Sequence, residues 1–468
     1  MKEYQIYING QWQDAKANEF SEVINPATEE VIAKVAKSNH EDVDDAVSAA
    51  KKAFPQWNTT SVEERAEYVE KILSGIQANQ ALLEDTIIKE LGSAKQFTES
   101  AQVALAINEI RATLNEIKQY SFEEQLDDAY VMKEGFGVVA CITPWNYPLN
   151  QIQRKITPAL LAGNTVVVKP ASDTPITGLI LARIVDQAGL PDGVFNLITG
   201  SGSDAGDYLA GHPDVAVVSF TGSTDVGRGL YGKASQTIKK LVLELGGKSA
   251  LVYLPGGDLN YAVKKALDTV LNNQGQTCAA LTRLLVPKDE LEATKEAIKT
   301  YYDSAVVIGD PSNDDTVVGP MVSQNQRQTV LDYIEKGKAE GAEILVGGNK
   351  IEGKGFYVEP TVFVNVTNDM AIAREEIFGP VLTVLTYETV EEAIEIANDS
   401  PYGLSGAVVG PVDEAEKVAR QLRTGNVYVN DGARNPRAPF GGYKQSGIGR
   451  ENGIYGVEDY LEIKTIFK

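Results

Sequence analysis

Cysteine and histidine are nearly missing from this 468-residue chain: Cys141, Cys278, His40 and His212 are all it has. Two cysteines cannot build a disulfide framework and suit a reducing, cytoplasmic setting. So few thiols and imidazoles leave no zinc cluster to draw from spacing, and no metal is expected. Basic residues are also short, 43 Lys and Arg against 65 Asp and Glu, and the net charge of −22 repels phosphate backbones. Nucleic acid is therefore not an expected partner. No uninterrupted apolar run nears the ~18 residues of a membrane span, and MKEYQIYINGQWQDA at the start alternates apolar and polar residues where a signal peptide would have an apolar core. A membrane is not an expected partner either.

What remains is ordinary globular composition, 43% hydrophobic and 23% charged, enough for two or three folded units at ~100 to 200 residues each. Residues 41 to 113 carry helical periodicity, with Ser61 and Glu64 spaced as a capping box. From about 137 short β-rich runs follow (GVVACIT, NTVVVKP, VFNLITG, VAVVSF, KKLVLEL), separated by helical stretches at 149–162, 174–188 and 223–235. Unalternating apolar strands between helices predict a parallel sheet covered on both faces. A second alternation begins after Gly246, with helices near 258–272 and 288–304, another from 323, and one started by Thr389 and Glu392. The polar segment SFEEQLDDAYVMKEG fits neither unit; it reads as a protruding hairpin, with the strand-like chain end VEDYLEIKTIFK as its partner.

Four segments carry reactive or polar groups, three of them at strand ends, where such sheets bind ligands, and one, the first below, at the end of a predicted helix. Asn273 to Cys278, NQGQTC, puts a thiol beside a flexible glycine; Cys141, inside GVVACIT, reads instead as an inert core residue. Pro144-Trp145-Asn146-Tyr147-Pro148 follows the first strand, and its Asn is a polar donor or a turn former. Glu244 ends strand KKLVL before two glycines. Phe220-Thr221-Gly222-Ser223 runs into a helix whose positive end suits a pyrophosphate. His40 and His212 read as a helix start and a loop, without a role.

Together these segments resemble the aldehyde dehydrogenase superfamily, over essentially the whole chain: PWNYP at 144, NTVVVKPAS at 164, FTGSTDVG at 220, LELGGKS at 243, NQGQTC at 273, EEIFGPV at 375 and PFGGYKQSGIGRE at 439. The resemblance implies an α/β fold with a Rossmann-type cofactor domain (1–116 and 136–246), an α/β catalytic domain (247–446) and a small β oligomerisation region (117–135 and 447–468), hence a dimer or tetramer. It implies Cys278 as nucleophile, Asn146 as oxyanion donor and Glu244 as general base. For NAD or NADP it implies Trp145 lining the cleft, Lys169 and position 172 at the adenosine ribose, Gly222 and Ser223 at the pyrophosphate, and Glu376 and Phe378 at the nicotinamide end. An aldehyde would be oxidised to an acid through a thiohemiacetal and a thioester. A CoA-acylating enzyme is the rival, disfavoured by Glu244; a non-catalytic relative is another, disfavoured by the intact Cys278.

The chain departs from relatives at two places. Ser172 stands where many have Glu, which weakens the exclusion of a 2′-phosphate and leaves the cofactor preference open, with Asp173 beside it. The helix LNQIQRKITPAL presents Asn150, Gln151 and Arg154 where relatives line the substrate tunnel, often with apolar residues. A buried guanidinium needs an anion or acceptor. The expectation is a polar or carboxylate-bearing aldehyde held by Arg154, with Tyr147, Gln151 and Arg434 sharing the tunnel, or else an Arg154 that reaches to a surface carboxylate or a neighbouring subunit.

Overall fold

The computed structural model describes residues 2–468. The five β-rich runs become Val138–Ile142, Thr165–Lys169, Phe195–Leu197, Val215–Thr221 and Lys240–Glu244, mutually parallel at the centre of an eight-stranded sheet. Their side chains have no solvent face to serve: Val138–Ile142 and Thr165–Lys169 are buried throughout. Helix Pro148–Leu161 is likewise buried at every position, which explains its mixture of apolar and paired polar residues. The N-terminal strands Ile6–Ile8 and Gln11–Gln13 extend one edge antiparallel.

The second alternation forms a seven-stranded sheet in the order Glu343–Val346, Thr361–Val364, Val381–Tyr387, Arg283–Pro287, Ala250–Tyr253, Ser405–Val409, Asn426–Val429. All its pairings are parallel except the first. The odd segment is the expected hairpin, Glu123–Leu126 with Ala129–Gly135, and Leu461–Phe467 adds a third antiparallel strand to it. Among the described residues no helix is long and apolar enough to cross a membrane.

Three details differ from the sequence reading. Ser61 caps its helix by accepting from the Glu64 amide at 3.1 Å. The reciprocal box, however, lies one helix earlier, between Asn39 and Asp42, because the buried Asp42 side chain turns back to the Asn39 amide. The helical stretch to 113 is also interrupted by a π-helical turn, Thr98–Gln102, before Val103–Ile117. Finally, residues 447–468 are not one piece. Gly447–Ile448 pairs with Lys240–Glu244 on the free edge of the large sheet, and helix Gly453–Glu458 packs on Val103–Ile117 and Pro148–Leu161. Only Leu461–Phe467 joins the hairpin.

Candidate active site

The two large sheets bring their strand ends together at one cleft, and each polar group reaches it by a local device. Helix Leu259–Leu271 stops in a tight turn where Asn273, Gln274 and Gly275 all take positive φ, 52°, 57° and 68°. At Gly275 a Cβ would strike the Gly379 carbonyl at 2.2 Å, so only glycine lets the loop pass. The two non-glycine residues carry strain of order 1 kcal/mol or more each, held by a buried carboxamide network. Gln102 and Asn273 donate to the Asn146 carbonyl at 3.0 and 2.9 Å, and Asn146 Nδ2 donates to the Gln276 carbonyl at 2.9 Å. One of the two Asn146 amide hydrogens is thereby used and the other remains for a substrate oxygen. Cys278, partly buried, follows this loop.

Gly246 and Gly247 allow the Glu244 strand to press against both the thiol loop and the next one. A Cβ on Gly247 would come within 2.4 Å of the Cys278 carbonyl, and one on Gly246 within 2.4 Å of Glu376 Oε2. The Gly247 amide instead donates to Glu376 Oε1 at 3.0 Å. Phe378, at φ +55°, is set edge-on to Trp145 with ring centroids 5.2 Å apart, and Gln326 anchors its loop by donating to the Ile377 and Phe378 carbonyls.

Between these groups lies a cavity of about 220 Å³ lined by Trp145, Asn146, Gln151, Gly222, Ser223, Cys278, Glu376 and Phe378, with Gln326, Leu245 and others. The sequence reading singled out the first eight; Gln326 it missed. Ser223 caps helix Thr224–Ala234, and its hydroxyl accepts from the Val226 amide. Lys169 and Ser172 sit at the other end of the same sheet edge, where both side chains donate to the Gly200 carbonyl at 3.0 Å. The residues present fit a dinucleotide: a helix start beside a glycine turn, a cleft floored by the thiol, and a buried lysine with a serine further along.

Burial governs the titration of the reactive groups. The Cys278 thiol is pushed up to about 12 by burial, then by the charges of Glu376 and Glu244, against a smaller opposing pull from Arg154. Cys141 is pushed to about 12 as well, but it is sealed inside its strand at 0% exposure. Glu244 is 2% exposed, neither carboxyl oxygen has a hydrogen-bond partner among the described residues, and burial followed by the Glu451 charge raises it well above the usual carboxylate range. Glu451 is held by the buried Lys155 at 2.9 Å. Burial also brings Glu376 up to about 7 and Lys169 down to about 8.

The Tyr147 hydroxyl meets Thr277 Oγ1 at 3.0 Å, one residue from the thiol. Arg154 corrects the sequence reading: its guanidinium does not wait for a substrate anion. Glu109, from helix Val103–Ile117, accepts from its Nε and Nη2 at 2.8 and 2.7 Å, and Arg434 Nη2 donates to the same carboxylate at 2.9 Å. Both Glu109 and Arg154 are buried, so this is an internal ion pair. Glu109 had a signal in the sequence, a carboxylate on the apolar face of its helix, between Ala106 and Thr113. Gln102 had none, because the π turn shifts the phase just before it.

The model of the aldehyde dehydrogenase family matches residues 12–466. A Staphylococcus haemolyticus protein that carries an aldehyde dehydrogenase name is 46% identical, over 100% of this chain and 99% of its own length. Among solved structures, a mutant of aldehyde dehydrogenase C from Pseudomonas syringae, in complex with NAD+ and octanal, is 42% identical with a TM-score of 0.97, over 99% of this chain and 96% of its own. The NAD+ complex of an aldehyde dehydrogenase from Bacillus cereus is 38% identical with a TM-score of 0.97, over 100% and 96%. A family model that matches nearly the whole length of the chain, with relatives and solved structures this similar end to end, marks this protein as a member of the aldehyde dehydrogenase family.

Proposed function

We propose that this protein oxidises an aldehyde to a carboxylic acid with NAD or NADP, using Cys278 as nucleophile, Asn146 as oxyanion donor and Glu244 as general base. The observation that carries this reading is the single cavity that joins the Cys278 thiol to the Gly222–Ser223 helix start, Glu376 and Phe378. A trigonal aldehyde cannot release hydride without leaving an acylium-like cation, so the thiol adds first and gives a tetrahedral thiohemiacetal. The developing oxyanion takes the free Asn146 amide hydrogen, a contact of about 3 kcal/mol in the barrier. A nicotinamide bound in the cleft supplies the hydride acceptor. The resulting Cys278 thioester is hydrolysed when Glu244 takes a proton from water. In balance, aldehyde, NAD(P)+ and water give acid, NAD(P)H and a proton.

Because Cys278 has a high thiol pKa in the free protein, the thiol loses its proton as it adds to the carbonyl, and the cleft's raised carboxyls are acceptors for it. Lys169 and Ser172 are assigned to the adenosine ribose, and Trp145, Ser223, Glu376 and Phe378 to the rest of the cofactor. Tyr147, Gln151 and Arg434 are assigned to the substrate, whose far end is polar. A homo-oligomer, dimer or tetramer, built on the Leu461–Phe467 edge accounts for Ile463 and Phe467 standing 70% and 79% exposed there. The test is NADH or NADPH formation from a panel of aldehydes, with and without CoA. Turnover that needs CoA would replace hydrolysis by acyl transfer to a thiol, and no turnover with any aldehyde would leave the fold as a binding scaffold.

A further inference from the structure

Helix Pro175–Ala188 begins without a cap of its own. Thr174 holds the cap position, but its side chain makes no capping bond, and the hydroxyl instead donates to the Trp145 carbonyl at 3.1 Å. Pro175 has no amide hydrogen, so the first donors to satisfy are the amides of Ile176 and Thr177. Glu90, from helix Gln80–Leu91, takes both. Ile176 N donates to its Oε2 at 2.8 Å and Thr177 N to its Oε1 at 2.9 Å, with the Thr177 hydroxyl on that same oxygen. The carboxyl is 0% exposed. Burial brings it up to about 7 against the pull of these three donors, and no charged side chain takes part. Burying an acid without a cation is unfavourable, whereas a side-chain cap from Thr174 would serve the same helix without that penalty. The arrangement therefore answers to something besides the helix.

What the helix start carries is the turn of the ribose site. Only residues 170–174 separate strand Thr165–Lys169 from this helix, and Ser172 is among them. The first half of the turn is tied down where Lys169 Nζ and Ser172 Oγ both donate to the Gly200 carbonyl at 3.0 Å. Gly178 lets the helix press on it, since a Cβ there would meet Pro170 Cβ at 3.2 Å. The second half is held by the Thr174–Trp145 bond and the Glu90 cap. Glu90 also heads a stretch that touches the rest of the site from behind. The Gly92 carbonyl accepts from Gln274 Nε2 of the thiol loop at 3.3 Å, and Gln102 donates to the Asn146 carbonyl at 3.0 Å. Residues 90–102 thus brace the ribose turn, the thiol loop and the oxyanion amide, yet none of them lines the cavity of the cleft.

We propose that Glu90 is a positioning residue for the adenosine end of the cofactor: its carboxylate sets the start of helix Pro175–Ala188, and through it the turn that keeps Ser172 beside Lys169, without touching a ligand. This rests on the assignment of Lys169 and Ser172 to the adenosine ribose, and the experiment separates the two. A neutral amide cannot replace the carboxylate. Glu90→Gln leaves one accepting oxygen and turns an NH2 group toward the amide of Ile176 or Thr177, donor against donor in a buried place.

The experiment measures Kd for NADH by fluorescence titration, Kd for ADP-ribose by displacement of NADH, and kcat at saturating cofactor. The variants are Glu90→Gln, Thr177→Val, Gln102→Leu and Lys169→Met. In Glu90→Gln both Kd values should rise by the same factor, about tenfold for one lost hydrogen bond to a charged group, because ADP-ribose keeps the adenosine end and lacks the nicotinamide. There kcat should stay within about twofold of the wild type. Thr177→Val removes only the hydroxyl bond and should raise both Kd values by a smaller factor; it decides the proposal if Glu90→Gln does not fold. Gln102→Leu, at the other end of the brace, should lower kcat and leave both Kd values alone. Unchanged Kd values in Glu90→Gln, or a rise for NADH without one for ADP-ribose, overturns the proposal. So does a joint change of Kd and kcat in both Glu90→Gln and Gln102→Leu, which would be a general loosening of the fold. An ADP-ribose Kd unchanged in Lys169→Met overturns the ribose assignment and the proposal with it. A rise in Lys169→Met with none in Glu90→Gln overturns the proposal alone.

Discussion

Glu244→Gln tests the division of labour in the cleft, because the structure forecasts opposite effects on turnover and on stability. Both Glu244 oxygens lack hydrogen-bond partners among the described residues, so an isosteric amide breaks no internal bond of the carboxyl. What it removes is the ability to take a proton from water. General-base assistance is worth roughly 10²- to 10⁴-fold, or about 3 to 5.5 kcal/mol of barrier at 1.36 kcal/mol per tenfold. If that loss falls on deacylation, rapid mixing should show one NADH per subunit in a burst followed by a steady state slowed by that factor. Acid quench should trap an acyl adduct on Cys278. In the wild type the steady-state rate should rise with pH through the raised Glu244 pKa, and the variant should lack this limb.

The effect on stability has the other sign. A carboxyl whose folded-state pKa is raised favours the folded state fully only below its unfolded value of ~4.3. It withdraws that stability as pH climbs from there through the folded value. Glu244→Gln should therefore be at least as stable as the wild type at neutral pH, with a difference that vanishes in acid, read as Tm against pH. An equal loss of burst and steady state, or a fall in Tm at neutral pH, would refute the assignment of Glu244 as an unpartnered deacylation base.

Cys278→Ser should abolish turnover with cofactor binding retained. Cys141→Ser should remain active but lose about 1 to 3 kcal/mol in a urea midpoint from a buried, unsatisfied hydroxyl, and the reverse pattern would move the nucleophile. Gln102→Leu removes the donor to the Asn146 carbonyl and should lower kcat by about tenfold or more for a lost buried hydrogen bond. Cofactor affinity should not change, and an unaltered kcat would show that Asn146 is held without it. Ser172→Glu should depress catalysis with NADP much more than with NAD, because a carboxylate repels the 2′-phosphate and still accepts ribose hydroxyls. Equal effects would place that side chain out of reach of the ribose. Light scattering at micromolar concentration should give a dimer or tetramer, and a monomer would show that the exposed Leu461–Phe467 edge is not an assembly surface.

The parallel sheet was legible because its strands are short, wholly apolar and punctuated by turns, a local pattern that has one economical solution. Much of the cleft was legible for a related reason: Gly222–Ser223, Glu244 before Gly246 and Gly247, and Cys278 after Gly275 are contiguous runs whose backbone constraints are written in the residues themselves. Polar pairing was not legible. Asn39 and Ser61 both begin helices with an acid three residues on, but only Asp42 is buried and turned back on its cap. Gln102, at the end of a π turn that breaks the helical period by which its direction would be read, is buried behind the cleft and donates to the Asn146 carbonyl. Gly447–Ile448, grouped by the resemblance with the oligomerisation region, instead closes an edge of the large sheet, since the Lys240–Glu244 strand would otherwise end it unpaired. The partner of Arg154 lies 45 residues away and that of Arg434 lies 325 residues away. The sequence by itself determined which residues carry charge and which elements bear them. Which opposite charges meet depends on how helices and loops dock, and only the tertiary structure decides that, so Arg154 is an internal ion and Arg434 the one left facing a cavity.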